Sequence, residues 1–363
     1  TLGIPIARLA DRGVRRTIIA AAVGLWSLMT ALCGLTQNFW QLFAARMGVG
    51  VGEAGALPPS QSLIADYFPP ERRSSAMAVL TVGTNLGVIC GMVGGSFIAE
   101  SLGWRWAFFL LGVPGVLFAV LIRLTLKEPP RHGISVDPTG LGRPSLLTSF
   151  RKLLARPTYV HMLIGFSVAN FAAYGSGQWT VAFFMRTYGV PLSTIAPMAG
   201  TLQAVLGTIS ILLGGVVGDR LARRDVRWHL WLPSGGIAIV IPIVIAFYLA
   251  PTWQSGLVIA SFAHLVSGIY AGPILAAVQG VVDPRSRALS VSLLLFATSL
   301  IGFGLGPLGV GILSDLLEPR LGNQSLRWAL VLSTGLYPWT VVHLWIASKS
   351  YVADIRRAAE DSD

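Results

Sequence analysis

Residues 215–224 read GVVGDRLARR and end a long apolar run with one acidic and three arginine side chains. Residues 7–16 read ARLADRGVRR and show a similar arrangement 208 residues earlier. The matched side chains are Asp11, Arg12, Arg15 and Arg16 in the first stretch, and Asp219, Arg220, Arg223 and Arg224 in the second. A charged pattern that recurs at this spacing indicates that one unit is present twice.

Two further echoes follow in the same order along the chain. RSSAMAV at 73–79 resembles RSRALSV at 285–291, which lies 212 residues later. GMVGGSFIAE at 91–100 resembles GPLGVGILSD at 306–315, which lies 215 residues later. Chance similarity among apolar helices is the alternative, but it does not explain the nearly constant spacing. The sequence therefore predicts two copies of a unit that contains several helices.

The composition indicates a membrane protein. Of 363 residues, 53% are hydrophobic and 12% are charged, whereas about 25% are charged in a soluble domain. Apolar runs long enough to cross a bilayer, for which a helix needs about 20 residues, occur ten times. They lie at residues 17–36, 39–66, 74–100, 104–126, 158–185, 191–218, 230–250, 254–281, 287–315 and 326–348.

Lysine and arginine are concentrated in alternate loops. Of the 27 such residues, 22 lie at 1–16, 67–73, 123–157, 219–229, 282–287 and 349–363. Because lysine and arginine resist translocation, we expect these loops, including the central loop and the C-terminus, on the cytoplasmic side of the inner (plasma) membrane. The net charge of +11 then reflects topology, and no nucleic-acid partner is expected.

The longest polar segment joins the two predicted copies. We expect a helix bundle at 1–127, a central loop at 128–157, a second bundle at 158–352 and a tail at 353–363. The loop is predicted to contain a short helix on the membrane surface, because apolar residues recur at helical spacing among basic ones. These apolar residues are Leu146, Leu147, Phe150, Leu153 and Leu154.

Residues 1–10 resemble the last turns of a helix, so we expect the first span and most of the second to be missing from this chain.

Cys33 and Cys90 lie in apolar runs, where a thiol behaves as a small hydrophobe. Neither a disulfide nor a metal site is predicted.

Two copies with the same charged loop on one membrane side are parallel repeats, the arrangement of the major facilitator superfamily. The repeated loop resembles that superfamily's signature, with Gly215 four residues before Asp219. RMGVGVGEA at 46–54, LIADYFPPERR at 63–73 and LKEPPR at 126–131 resemble its spinster branch. The resemblance implies an all-α membrane protein of two pseudo-symmetric six-helix bundles. It also implies lipid or lysolipid transport, as in eukaryotic spinster proteins, or proton-coupled export, as in bacterial ones.

Arg46 and Glu53 are predicted to couple proton movement to transport. A charge at mid-bilayer costs about 2.5–3.5 kcal/mol on insertion scales, and such residues usually face a cavity and have a function. Seven residues make about two helical turns, so both side chains share one face. Arginine stays charged, whereas glutamate can gain and lose a proton, which makes Glu53 the expected proton carrier. A structural pair tied to other helices is the alternative.

The repeated charged loops are predicted to latch one conformation through ion pairs between helix ends, on the side that we expect to be cytoplasmic. Anchoring by the positive-inside rule is the alternative, although it requires arginine and no paired aspartate.

A polar helix face is predicted to line the substrate cavity. Asn170, Tyr174 and Gln178 recur every four residues, and His264 with Tyr270 forms a second, weaker set. These groups contact substrate or, alternatively, hydrogen-bond a neighbouring helix. Glycine ladders at Gly87, Gly91 and Gly95 and at 302–309 predict close helix packing and bending.

The sequence contains no zinc-protease, nucleophile-elbow or phosphate-loop spacing, so we expect no enzyme and no ATP-driven pump. The predicted function is proton-coupled export of an amphiphilic or lysolipid-like substrate by a monomer, with the proton gradient as energy source and no cofactor. A proton symporter that imports a small organic anion is the main alternative. A non-transporting receptor is the other alternative, and it would tolerate the loss of Glu53.

Overall fold

A computed structural model describes residues 14–56, 59–60, 63–64, 67, 70–128, 151–282 and 287–360, although the side chains of 70–82, 85 and 287–289 are not part of that description. All regular structure among these residues is helical. Contacts divide the chain into two compact units, Thr1–Gly140 and Leu141–Asp363, which we call the first and second unit. Asp11, Arg12 and most of the predicted surface helix at 146–154 lie outside the described residues.

Among its described residues, the first unit contains four helices of 15 or more residues, whose bounds are α1 Arg15–Cys33, α2 Phe39–Glu53, α3 Pro70–Ser101 and α4 Trp104–Thr125. Asn38 begins α2, because its side-chain oxygen accepts a hydrogen bond from the Gln41 backbone N–H at 2.9 Å. Gly103 precedes α4 with φ 91°, a left-handed conformation that favours glycine. Helix α1 packs between α2 and α4, and α3 packs on α4.

Among its described residues, the second unit contains nine α-helices of ten or more residues. Their bounds are α5 Pro157–Tyr188, α6 Leu192–Ala222, α7 Trp228–Tyr248, α8 Trp253–Ser267, α9 Ala271–Gly280, α10 Arg287–Ser299, α11 Gly306–Leu321, α12 Ser325–Thr334 and α13 Tyr337–Glu360, with a π-helix at Leu300–Leu305 between α10 and α11. Pro157 opens α5 at a position where no backbone N–H is needed. Gly189 closes it in the left-handed conformation, at φ 65°.

Each of the ten predicted apolar runs contains helix, which supports the predicted all-α membrane fold. By length and hydropathy alone, six helical segments of the described chain could cross a membrane. They are Arg15–Cys33, Trp104–Thr125, Leu192–Ala222, Trp228–Tyr248, Trp253–Gly280 and Ser290–Glu360, the last of which spans several helices.

The predicted continuous span at 39–66 is wrong in one respect, because α2 ends at Glu53 and a turn follows at 54–56. Gly52 and Gly55 each lower helix stability by about 1 kcal/mol relative to alanine. Pro59 then lacks the N–H that would continue the hydrogen-bond ladder. Glu53 is therefore the last residue of α2, not a residue in the middle of a long helix.

Helix α5 holds the second unit together along its whole length. Near its start, Tyr159, Met162 and Phe166 are buried in a cluster with residues of α7, α9 and α13. Near its end, Phe183 and Phe184 are buried in another cluster with residues of α6, α7, α11 and α12. A displacement of α5 would therefore disturb both clusters.

Close packing at the later glycine ladder is confirmed by the approach of α5 to the π-helix and α11. A Cβ at Gly306 would lie 2.6 Å from the Phe171 carbonyl oxygen and 2.9 Å from the Gly175 backbone nitrogen. A Cβ at Gly302 would lie 2.8 Å from the Tyr174 ring. At the earlier ladder, by contrast, a Cβ at Gly87, Gly91 or Gly95 would meet nothing within 4 Å among the described residues. Close packing at this earlier ladder stays a prediction.

Candidate functional site

Helix α2 uses its glycines to pack closely on α1. A Cβ at Gly52 would lie 2.7 Å from the Trp26 backbone nitrogen, and a Cβ at Gly48 would lie 2.7 Å from the Met29 side chain. Val49 is buried on the same face. Helix α1 thus covers this face of α2. The contact determines which way the remaining faces of α2 point.

Arg46 and Glu53 lie on a neighbouring, open face of α2. At 100° per residue, both are turned about a quarter of a circle away from the face that packs on α1. Both side chains are exposed, and a Cβ at Gly50, which lies between them in sequence, would meet nothing within 4 Å in the part of the chain that the structure describes. The structure therefore places the two predicted coupling residues on one accessible strip of an apolar helix.

A carboxylate joins the start of α1 to the end of α4. Glu128 accepts a hydrogen bond from Arg15 Nε at 2.8 Å and from the Arg16 backbone N–H at 2.9 Å. Arg15 is only 2% exposed. The second contact satisfies one of the N–H groups that a helix leaves unpaired at its N-terminus, where the helix dipole also favours a negative charge. Tyr67 strengthens this junction, because its hydroxyl donates to the Lys127 carbonyl oxygen.

The structure thus gives Arg15 and Arg16 of the first charged stretch a partner that sequence reasoning missed. Glu128 lies in the string LKEPPR at 126–131, which indicated only a resemblance to spinster proteins and no contact with Arg15 or Arg16. The signal that could have identified this partner was an acidic residue, Glu128, in the loop directly after the apolar run at 104–126.

We expect Glu128→Gln to lower the free energy of unfolding by about 1–3 kcal/mol near neutral pH, since hydrogen bonds to a charged group are lost. Partial burial raises the pKa of Glu128, but the hydrogen bonds from the Arg16 backbone and the Arg15 guanidinium outweigh it, and the net pKa lies below its usual value. The stabilisation is therefore present above the pKa of an unfolded glutamate, about 4.3, and disappears as the pH falls through the lower folded pKa.

Thermal unfolding of wild type and Glu128→Gln in detergent, at about pH 7 and about pH 3, measures this effect. The two proteins should differ at the higher pH and converge at the lower one. Glu360→Gln, at an exposed position, is the control. An equal difference at both pH values would contradict the assigned ion pair.

The second charged stretch lies at the end of α6. Asp219, Arg220, Arg223 and Arg224 are exposed there. The next acidic residue, Asp225, accepts a hydrogen bond from the Arg227 backbone N–H at 2.8 Å and so shapes the turn into α7. Conformational latching by these residues stays a prediction.

Tyr174 lies where α5 meets the π-helix. Its ring centroid is 3.6 Å from that of Phe303, and both rings lie beside the close approach of Gly302. A π-helical segment inserted between α-helices frequently marks a functional site. Asn170, one turn earlier on α5, donates to the Phe166 carbonyl oxygen at 2.8 Å, a bond within its own helix.

The other predicted cavity residues are divided among several elements. Gln178 is exposed on α5, and His264 is half-buried on α8. Tyr270 lies in the turn before α9, with its ring centroid 5.5 Å from that of Phe166 on α5. The structure therefore brings Tyr270 towards α5, where Asn170 and Tyr174 also lie. Within the described residues, no group of three or more histidine, cysteine or acidic side chains is arranged to hold a metal.

Comparison with known proteins identifies similar chains. Residues 1–307 match the family model described as Major Facilitator Superfamily. An MFS-type efflux pump of Mycolicibacterium smegmatis is 33% identical over 358 residues, which cover 98% of this chain and 82% of the pump. The sphingosine-1-phosphate transporter SPNS2 of Xenopus tropicalis is 26% identical over 377 residues, with coverage of 97% and 72%.

A solved structure is also similar. The crystal structure of a bacterial homologue of the human lysosomal transporter Spinster, in an inward-facing and unoccupied conformation, superposes with a TM-score of 0.86. The two chains are 30% identical, and the match covers 97% of this chain and 87% of that one.

Proposed function

The chain belongs to the Major Facilitator Superfamily, in its bacterial spinster-like branch, and we therefore propose that it is a proton-coupled secondary transporter that exports an amphiphilic, lysolipid-like substrate. It is a transporter and not an enzyme, and the proton gradient supplies its energy without a bound cofactor. The loops rich in arginine and lysine lie in the cytoplasm, and the chain acts as a monomer in the bilayer.

The observation that carries this proposal is the open strip of α2. Arg46 and Glu53 share it, and close packing on α1 keeps the strip pointing away from that helix. Arg46 holds an anionic group, while Glu53 binds a proton from one side of the membrane and releases it to the other. Each protonation state favours a different opening of the transporter, which is the basis of alternating access.

An amphiphile suits the chemistry of the predicted cavity. In the second unit, aromatic rings at Tyr174 and Phe303 offer an apolar surface beside hydroxyl and amide groups. Arg46 of the first unit, taken by itself, carries a charge that suits an anionic head. The similarity to a sphingosine-1-phosphate transporter and to an efflux pump supports export of such a molecule. The charged residues at the start of α1 and at the end of α6, which are predicted to act as a latch, bias the conformational equilibrium of the transporter.

Import of a small organic anion by proton symport is the second candidate, and the positive charge of Arg46 favours it. The two candidates differ in direction and in substrate. Purified protein in liposomes with an imposed pH gradient should move a lysolipid against its gradient, while a small carboxylate and a cationic dye should not move. Movement of the carboxylate alone would favour the symporter. Absence of movement for all three would contradict the proposal.

A further inference from the structure

Two histidines meet where the first and last helices of the second unit pack together. His161 lies in the second turn of α5, and His343 lies in the second turn of α13. Their Nδ1 atoms are 2.9 Å apart, and their ring centroids are 5.0 Å apart. This is hydrogen-bond distance between two ring nitrogens.

The distance restricts the protonation of the pair. A neutral imidazole carries one N–H and one lone pair, so one Nδ1 donates and the other accepts. When one more proton binds at the Nε2 atom of the donor, the bond remains, and it becomes charge-assisted. When both rings are imidazolium, both Nδ1 atoms carry hydrogen and the bond cannot exist. The pair therefore keeps its bond with no excess proton or with one, and loses it with two.

The seam between α5 and α13 holds the two rings in place. On one side of the pair, the Thr340 hydroxyl donates to the Gly165 carbonyl oxygen at 2.9 Å. On the other side, the Thr158 backbone N–H donates to the Asp354 carboxylate at 3.0 Å. A Cβ at Gly165 would lie 3.2 Å from the His343 Cβ, so the helices are close at this level. Because these contacts keep the two helices close on both sides of the pair, two charged rings can separate only if the seam itself opens.

Three other titratable groups of α5 and α13 have contacts of their own. The Tyr159 hydroxyl donates to the Ser290 carbonyl oxygen of α10 at 2.8 Å. The Asp354 carboxylate, besides its bond to Thr158, lies 3.5 Å from Arg357. Lys349 Nζ lies 3.6 Å from the centroid of the Trp345 ring, which belongs to the same helix.

Among the described residues, the neighbouring elements carry the following charged or titratable groups. His229 of α7 lies 3.3 Å from the Tyr351 hydroxyl of α13. Arg287 begins α10, three residues before Ser290. Arg327 of α12 lies at the far end of α5, with its guanidinium 5.7 Å from the Tyr188 ring centroid. Asp315 of α11 also lies towards that far end of α5. It follows Gly311 by four residues, and a Cβ at Gly311 would lie 3.1 Å from the ring of Trp179 on α5.

We propose that His161 and His343 form a shared proton-binding site that fastens α5 to α13 while it holds at most one excess proton and releases them when it holds two. The site lies in the second unit and does not depend on Glu53. It adds to the transporter a response to acid that acts on the position of α5, the helix that carries Asn170 and Tyr174.

Protein with ¹⁵N-labelled histidine in lipid nanodiscs tests the shared site through nitrogen NMR between about pH 8 and about pH 4. Two of the imidazoles should titrate in two steps separated by at least about one pH unit, as expected for interacting groups. In His343→Gln, the His161 ring should titrate in one step, and His161→Gln should do the same for His343. His132→Gln, which changes a histidine of the central loop, should leave both steps unchanged.

Release of the seam is measured with spin labels at the exposed positions Ile164 on α5 and Val342 on α13, in protein without Cys33 and Cys90. The distance should increase at acid pH in the otherwise unchanged protein and stay constant in His343→Gln. The shared site is wrong if each imidazole titrates in one step and the midpoint of that step does not change when the other histidine is replaced. If the distance is the same at both pH values, release of the helices is wrong. Neither measurement requires transport, so failure here leaves the proposed function intact.

Discussion

Glu53→Gln is expected to abolish transport driven by a pH gradient, down to the rate of liposomes without protein. Glutamine is nearly the same size as glutamate but cannot bind and release a proton. Glu53 ends α2 and is exposed on the strip that it shares with Arg46, so the change leaves the packing of α2 on α1 untouched. Folding and substrate binding should persist, and only the coupling should be lost.

The measurement is uptake of substrate by liposomes of one orientation, with and without a pH gradient, together with binding of the same substrate to detergent-solubilised protein. Glu318→Gln is the matched control, because Glu318 is an exposed glutamate near the end of another long helix, α11. Arg46→Ala should reduce both binding and transport, since it removes the positive charge that we propose to hold an anionic group of the substrate. Normal gradient-driven transport by Glu53→Gln would leave Arg46 and Glu53 with a structural role.

Gly306→Ala is expected to destabilise the second unit by about 1–3 kcal/mol or more, the usual cost of overpacking. The added Cβ would lie 2.6 Å from the Phe171 carbonyl oxygen and 3.2 Å from the Gly175 Cα. These are backbone atoms, which cannot turn away as a flexible side chain can. Helix α5 would have to move, and both buried clusters along it would be disturbed.

Gly304→Ala provides the matched control for this prediction. Gly304 lies two residues away in the π-helix, and its Cβ would meet nothing within 4 Å among the described residues. Alanine also favours helix over glycine by about 1 kcal/mol, so this variant should be as stable as wild type or more so. Thermal unfolding of the two variants in the same detergent gives the comparison. Equal stability of Gly306→Ala and wild type would contradict the close approach of α5.

Much of the fold could be predicted from sequence because membrane helices leave strong signals. Apolar runs, alternating lysine and arginine content and the three echoes predicted a membrane protein of two parallel helical repeats. The resemblance of the charged stretches to the superfamily's signature implied the major facilitator fold, which the similarity to the bacterial Spinster homologue confirms. The interruptions were harder to predict. The end of α2 at Glu53 depends on local glycines. The π-helix at Leu300–Leu305 depends on close packing against α5. A hydropathy pattern reports neither of these causes.

The candidate site was predictable only where one helix carries it. Arg46 and Glu53 lie seven residues apart, so helical periodicity alone places them on one face. Contacts between distant segments left no such trace. Arg15 and Glu128 are 113 residues apart, and His161 and His343 are 182 residues apart. Such pairs require the three-dimensional structure, because spacing along one helix says nothing about which helices become neighbours.

Simultaneous recording of proton and substrate movement in liposomes tests the central claim most directly. A pH-sensitive dye enclosed in the vesicles reports protons, and a labelled lysolipid reports substrate, after a substrate gradient is imposed without a pH gradient. Coupled transport predicts that lysolipid movement drives protons in the opposite direction, and that Glu53→Gln moves no protons. Lysolipid movement at the normal rate with no accompanying change in internal pH would contradict proton coupling.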